Sequence, residues 1–322
     1  MQIAMVGLGR MGMNMARRML RHGHQVVAFN RTASKAEALS REGAVPAFSL
    51  DEVVERLAPP RAVWLMLPAG RTIDEHLERL SSLLSHGDTV IDGGNTFFKD
   101  DLRRAKRLAE RGIRFLDVGV SGGIWGLDSG YCLMAGGDRD TFDALAPVLA
   151  SLAPDEGCLY CGPTGAGHFV KMVHNGIEYG MMQAYGEGFE LLHASPYGAS
   201  LDYADLSRLW NRGSVIRSWL LELAESAFRK DGDLSEVRAY VEDSGEGRWT
   251  VQQAVEYAVS APVITLSLME RFRSRNTAPF SSRLAAALRR EFGGHAVQET
   301  GAGVEKGQGR DIPPGEGRGR VE

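Results

Sequence analysis

Residues 1–164 predict an α/β domain built on a doubly wound, mostly parallel sheet, residues 165–296 predict an all-α domain, and 297–322 read as a tail. Three observations predict this. Through the first half, short apolar runs alternate with stretches of helical spacing, the pattern of repeated βα units. A glycine-rich turn, Gly7-Leu-Gly-Arg-Met-Gly12, stands between the first apolar run and the first helix. From Gly165 onward the apolar spacing is helical almost throughout.

Taken in order, Ile3-Ala-Met-Val6 is a strand, the glycine turn follows at once, and Met13 to Arg21 is helical until Gly23 ends it. Gln25-Val-Val-Ala-Phe29 is the second strand. In this order the glycines permit a tight turn and the close approach of a pyrophosphate, which the helix N-terminus faces. The first half is therefore a Rossmann-type dinucleotide domain, with Gly7, Gly9, Arg10, Met11 and Gly12 expected at the cofactor. Where an NAD enzyme places an acid against the ribose 2′-hydroxyl, this chain has Asn30-Arg31-Thr32. An acid would repel a 2′-phosphate, whereas Arg31 can pair with it and lie on the adenine, so the position favours NADP, with NAD the alternative.

Further strands are expected at 63–67, 89–92, 115–118 and 131–135, with helices from about Thr72 and about Phe98. Ligands of such sheets sit beyond the carboxyl ends of the strands. The loops there are Leu67-Pro-Ala-Gly70, Asp92-Gly-Gly-Asn95 and Gly119-Val-Ser-Gly-Gly123, expected to converge on one crevice. Leu67, Pro68, Ala69 and Asn95 are assigned to the cofactor. Asn95 and Ser121 offer neutral hydrogen bonds suited to a carboxylate or hydroxyls, and Gly122 and Gly123 give backbone room.

In the second half a long helix runs from Gly165 to about His193, followed by segments near 203–210, 215–228, 249–260, 263–273 and 281–292, with breaks at Pro262 and Pro279. On the long helix Lys171, His174, Asn175 and Glu178 stand at i, i+3, i+4 and i+7 and share one side. Val170, Val173 and Ile177 are expected to anchor the opposite side to a core. Gly165, Gly167, Gly176 and Gly180 each cost helix stability, which implies that another backbone or a ligand comes close. The tail from Gly301 is rich in Gly, Pro and charge and reads as disordered.

A chain of 322 residues, 43% hydrophobic and 24% charged, has the size and composition of a two-domain globular protein, and a net charge of −4 gives no general attraction to nucleic acid or anionic membrane. No apolar run nears the roughly 18 residues that span a bilayer, and Met1-Gln-Ile-Ala-Met-Val6 leaves no room for a cleaved leader, so a cytoplasmic location is expected. Cys132, Cys158 and Cys161 are too few for a disulfide framework. The Cys158–Cys161 spacing lacks a second ligand pair, so buried strand thiols are expected rather than a zinc site.

These segments together resemble the decarboxylating 6-phosphogluconate dehydrogenases, in their short-chain branch. The resemblance covers about residues 1–296 and rests on Gly7-Leu-Gly-Arg-Met-Gly12, Asn30-Arg-Thr32, Asp92-Gly-Gly-Asn95, Val120-Ser-Gly-Gly123 and above all Gly165-Ala-Gly-His-Phe-Val-Lys-Met-Val-His-Asn-Gly-Ile-Glu-Tyr179. It implies oxidative decarboxylation of 6-phosphogluconate to ribulose 5-phosphate. Lys171 would be the general base at the 3-hydroxyl and Glu178 the acid that protonates C1 of the enediol. Asn95, Ser121, Gly122, Gly123, His174, Asn175 and Tyr179 would touch the substrate. Because a β-keto acid loses CO2 without Lewis-acid help, no metal is expected. Arg289-Arg-Glu-Phe-Gly-Gly-His295 resembles the family segment that enters the neighbouring subunit, implying a homodimer or homotetramer in which Arg289 takes the phosphate and His295 the hydroxyls.

The chain departs from the longer members at Ser244 and Glu246, where they carry a lysine and a threonine near the phosphate, and at Pro68, where they carry a lysine. Arg248 or the cluster Arg271, Arg273 and Arg275 stand as substitutes for the phosphate. Two alternatives differ in kind. A β-hydroxyacid dehydrogenase of the 3-hydroxyisobutyrate type would use Lys171 without a phosphate site, and a non-catalytic NADP-binding protein would keep the fold without turnover.

Overall fold

The structure, a computed structural model, describes residues 1–294 and 296–298. One compact unit spans Met1–Phe272 and a second begins at Arg273. The first opens with β1 (Gln2–Val6), α1 (Arg10–Arg21), β2 (Gln25–Phe29), α2 (Ala33–Ser40), β3 (Val45–Ala47), α3 (Leu50–Glu55), β4 (Ala62–Leu65) and α4 (Arg71–Leu83). It continues through β5 (Thr89–Asp92), α5 (Phe98–Ala109), β6 (Arg114–Ser121), α6 (Gly126–Ser129), β7 (Cys132–Gly137), α7 (Arg139–Leu152) and β8 (Cys158–Gly162).

The eight strands form one sheet in the order β3-β2-β1-β4-β5-β6-β7-β8, parallel except for the β6 and β7 hairpin. Successive residues of a strand point to opposite faces, and helices cover both. On one face Ile3, Met5, Trp64 and Ile91 pack with Met15 and Met19 of α1 and Leu145 and Val148 of α7. On the other, Ala4, Val6, Val63, Leu65 and Val90 pack with Ile73, Leu77 and Leu80 of α4 and Leu108 of α5. Burial on both faces is why these strands read as unbroken apolar runs. Chain order reverses between β1 and β4, so the crevice for a ligand opens beyond their carboxyl ends.

The helical part comprises α8 (Ala166–Ala194), α9 (Tyr203–Trp210), α10 (Trp219–Lys230), α11 (Glu246–Glu256) and α12 (Pro262–Ser274), with α13 (Phe280–Gly293) in the second unit. Pro262 opens α12 and Pro279 caps α13, where a proline costs no hydrogen bond. No helix among the described residues is long and apolar enough to cross a membrane.

Three expectations need correction. The segment at 215 is not helical until Trp219, because the Ser218 hydroxyl caps α10 by accepting from the Leu221 N–H. The segment predicted from Trp249 starts earlier, at Glu246, after Gly245 in a positive-φ conformation. The thiols are not buried: Cys132 is exposed, and Cys158 and Cys161 are intermediate because β8 is the edge strand.

Candidate active site

The glycine turn is built by sterics. Gly7 adopts φ +98, and a Cβ there would lie 2.4 Å from the Met66 carbonyl oxygen, while a Cβ at Gly12 would lie 2.1 Å from the Gly7 carbonyl oxygen. Only glycine lets α1 start this close to β1 and β4. The Asn30 side chain braces the turn, its Oδ1 accepting from the Leu8 N–H at 2.9 Å. Among the described residues no side chain caps the N-terminus of α1, no acid lies in its first turn, and a Cβ on Gly9 would meet open space. These are the conditions for a phosphate at a helix N-terminus.

A cleft of about 640 Å³ runs from this turn, lined by Gly7, Gly9, Met11, Gly12, Asn30, Arg31, Thr32, Leu67, Pro68 and Asn95. Arg10 and Ala69 are exposed and lie outside its lining. Lys35, in the first turn of α2, does line it, close in sequence to Arg31. Sequence reasoning stopped at the residues ending β2 and so missed this second cation.

Met11 and Asn95 also border a second cavity of about 860 Å³, which holds Ser121, Gly122, Gly123, Lys171, His174, Asn175 and Glu178. Asn95 sits at φ 52, which asparagine tolerates. Its amide ties the loop to β6, donating to the Val120 carbonyl at 3.1 Å and accepting from the Val120 N–H at 2.9 Å.

The lysine, histidine, asparagine and glutamate of α8 do reach one cavity, but the expected apolar anchor does not face a core. Val170, Val173 and Ile177 line the same cavity, and Ile177 is 52% exposed. The helix is seated through its glycines and Lys171 instead. A Cβ on Gly167 would lie 2.4 Å from the Met134 carbonyl oxygen, and one on Gly176 would lie 2.7 Å from Thr250 Cγ2. Lys171 packs over Gly119 of β6, where a Cβ would come within 2.3 Å of its own. Its residue is 4% exposed.

Burial lowers the Lys171 pKa from its ordinary value, opposed by the negative charges of Glu246 and Glu178. The amine donates to Asn175 Oδ1 at 2.6 Å, and the His174 Nδ1 lies 2.9 Å from the same oxygen. That oxygen only accepts, so Nδ1 carries a proton and Nε2 faces Ser121 Oγ at 3.5 Å. Asn175 in turn donates through Nδ2 to Glu246 Oε2, which also accepts from Ser244 Oγ at 3.0 Å. Glu178 lies 3.9 Å from His174 Nδ1 and stays 38% exposed.

Tyr179 lies outside the cavity lining. It is buried, its hydroxyl accepts from the Ser244 N–H at 2.9 Å, and the Arg271 guanidinium lies over its ring at 3.5 Å. Arg248 is held by Asp243 through two bonds of 2.7 and 3.0 Å. Arg289 lies on α13 in the second unit and is exposed. His295 lies outside the described residues.

Beneath the first turn of α8 is a buried polar network that sequence reasoning also missed. His168 Nδ1 lies 2.7 Å from Asp101 Oδ2, and Thr96 donates to Asp92 at 2.9 Å. Arg104 donates to the Thr96 hydroxyl at 2.9 Å. Asp117 accepts from the N–H groups of Gly165 and His168 at 2.7 and 3.0 Å, capping α8 from β6. Asp92 also accepts from Gly94 at 2.9 Å, so one network holds both the Asn95 loop and the helix bearing Lys171. The available signal was His168 at i−3 from Lys171.

Comparison with known proteins converges on one family. Residues 2–162 match the family model described as the NAD binding domain of 6-phosphogluconate dehydrogenase, and residues 167–299 match its C-terminal domain. The chain is 47% identical to an NAD(+)-dependent, decarboxylating 6-phosphogluconate dehydrogenase of Haloferax volcanii over 300 residues, 92% of this chain and 98% of that protein. It is 38% identical to the decarboxylating enzyme of Escherichia coli over 287 residues, 85% of this chain but 61% of that longer protein. Among solved structures, the Plasmodium falciparum 6-phosphogluconate dehydrogenase superposes with a TM-score of 0.78 at 27% identity, covering 94% of this chain and 67% of that one. The glycine turn, the buried amine and matches over both halves lead to one conclusion: the chain belongs to the 6-phosphogluconate dehydrogenase family.

Proposed function

We infer that this protein catalyses the oxidative decarboxylation of 6-phosphogluconate to ribulose 5-phosphate and CO2, using a nicotinamide dinucleotide. The observation that carries this reading is Lys171, an amine buried to 4% exposure that borders a cavity meeting the dinucleotide cleft at Met11 and Asn95. The β-hydroxyacid dehydrogenase and non-catalytic readings lose ground because relatives at 36–47% identity are named as decarboxylating 6-phosphogluconate dehydrogenases.

A bound oxidised cofactor supplies the hydride acceptor at C3 of the substrate. Lys171 takes the 3-hydroxyl proton, for which an amine shifted below its ordinary pKa is better suited than an exposed one. The same ammonium then stands beside the 3-keto oxygen as CO2 leaves, and returns its proton there. Glu178, half exposed at the cavity rim, delivers a proton to C1 of the enediol. Asn95, Ser121, Gly122, Gly123, His174 and Asn175 orient the hydroxyls and carboxylate. For the phosphate, the cations beside Tyr179 are Arg271, which lies over its ring and donates to the Glu242 carbonyl at 2.8 Å, and Arg248, whose fork is engaged by Asp243. Residues 1–164 serve as the dinucleotide domain and 165–296 as the substrate domain. A homodimer in which Arg289 and His295 reach the neighbouring site fits the exposed apolar side chains of the helical part, such as Leu191, Val255 and Leu266.

Arg31 with Lys35 favours NADP as the cofactor. Arg31→Ala is expected to raise KM for NADP by about 10-fold or more, the worth of one charge-assisted bond, while the KM for NAD barely moves. Equal changes for both cofactors in initial-rate assays would remove the 2′-phosphate from the reading. The function itself is tested by initial rates on 6-phosphogluconate with each cofactor in turn; absence of reduced cofactor with both would end it.

A further inference from the structure

Glu246 has no role in the chemistry above, yet it is a carboxylate only 6% exposed at the start of α11. An acid in the first turn of a helix is ordinarily a solvated partner of the helix dipole. This one turns inward and accepts from Asn175 Nδ2 and from Ser244 Oγ. A buried carboxylate is costly unless its hydrogen bonds are well made, so what it holds matters.

We propose that Glu246 is a positioning residue for this reaction: by holding the Asn175 amide nitrogen, its carboxylate turns the Asn175 carbonyl onto the Lys171 amine and the His174 ring N–H. The proposal rests on the functional reading above. With the amide reversed, the carbonyl would face a carboxylate and the NH2 group would face an ammonium, two repulsive contacts in place of two charge-assisted bonds. Ser244 completes the brace, since its backbone N–H and hydroxyl also engage the Tyr179 hydroxyl. One carboxylate on α11 thereby fixes the amine, the imidazole and the asparagine of α8.

The arrangement has an electrostatic signature. Lys171 faces His174 and Glu178 on its own helix, Cys132 on β7 and Glu246 on α11. Glu246 faces Lys171, Asn175, Ser244 and Glu178, with Tyr179 and Arg271 beyond Ser244. Burial raises the Glu246 pKa, opposed first by Lys171, and the Glu246 anion in turn favours the protonated amine. Removing that charge therefore makes Lys171 easier to deprotonate.

The test compares Glu246→Gln and Glu246→Asp with the parent enzyme across pH, using 6-phosphogluconate and the better cofactor. In E246Q the acidic limb of kcat/KM is expected to move down by about half a unit or more, and kcat to fall about 10-fold as the amide orientation is no longer forced. In E246D, which keeps the charge but not the reach, the limb stays and kcat falls. If E246Q turns over too slowly for a profile, the pH dependence of Lys171 carbamoylation by cyanate, read by peptide mass spectrometry, carries the same expected downward shift. An unmoved limb in E246Q, or an unmoved labelling profile, would overturn the proposal, as would an E246D variant with parental kcat. Failure of the functional reading is separate: the parent protein would then leave 6-phosphogluconate untouched while the labelling comparison still reports on Glu246.

Discussion

Lys171→Ala is expected to lower kcat by about 10²- to 10⁴-fold, the usual worth of a positioned general base, while the dissociation constant of the oxidised cofactor changes less than about threefold. The asymmetry follows from position. Lys171 borders the substrate cavity and is absent from the lining of the dinucleotide cleft. Truncation also leaves Asn175 Oδ1 with His174 as its remaining donor, so the site loses a proton acceptor and part of its bracing. Rates measured beside cofactor titration by fluorescence decide the matter. A parallel loss of cofactor affinity would place Lys171 at the nucleotide instead.

The second large effect concerns stability. His168→Ala is expected to cost about 3 kcal/mol or more at pH 7, because it strips the buried Asp101 carboxylate of its closest partner. The cost should depend on pH in a set direction. Burial alone would lower the His168 pKa, but Asp101, Asp92 and Asp117 outweigh it and hold it at about 9, above the ordinary 6.5. A group that binds its proton more tightly when folded contributes fully below about 6.5 and loses that contribution as pH rises through about 9. Asp92, raised by burial to about 6 from 3.8, makes its own change in a lower window, between those two values. Urea unfolding at pH 7 and pH 9.5 should therefore show the gap between parent and variant narrowing at the higher pH. An equal gap at both would mean that the charged pair contributes nothing.

Much of this was legible in the sequence because backbone demands leave strong traces. Gly7, Gly9 and Gly12 announce the turn, the apolar runs announce strands buried on both faces, and the 3.6-residue period placed Lys171, His174, Asn175 and Glu178 on one side of α8. Periodicity failed where its usual meaning is inverted. Val170 and Ile177 look like an anchoring stripe, but the glycines of α8 bring it against β6, β7 and α11, leaving those apolar side chains to line the cavity. Short elements such as β3 and α3 carry too few residues for a period, although Ser49 and Glu52 mark the start of α3 as a cap. The network of Asp92, Asp101, Arg104, Asp117 and His168 joins residues up to 76 positions apart, a proximity that only the folded sheet creates. Glu246 was legible as a departure from the longer relatives, but its inward turn to Asn175 was not, since that contact joins residues 71 positions apart.

The buried amine of Lys171 beside the dinucleotide cleft is expected to drive hydride removal coupled to loss of CO2. The most direct measurement is the product balance of the purified protein given 6-phosphogluconate and oxidised cofactor. Reduced cofactor, CO2 and a ketopentose phosphate should appear in equal amounts. Reduced cofactor without CO2, or no turnover of the phosphorylated acid, would contradict it.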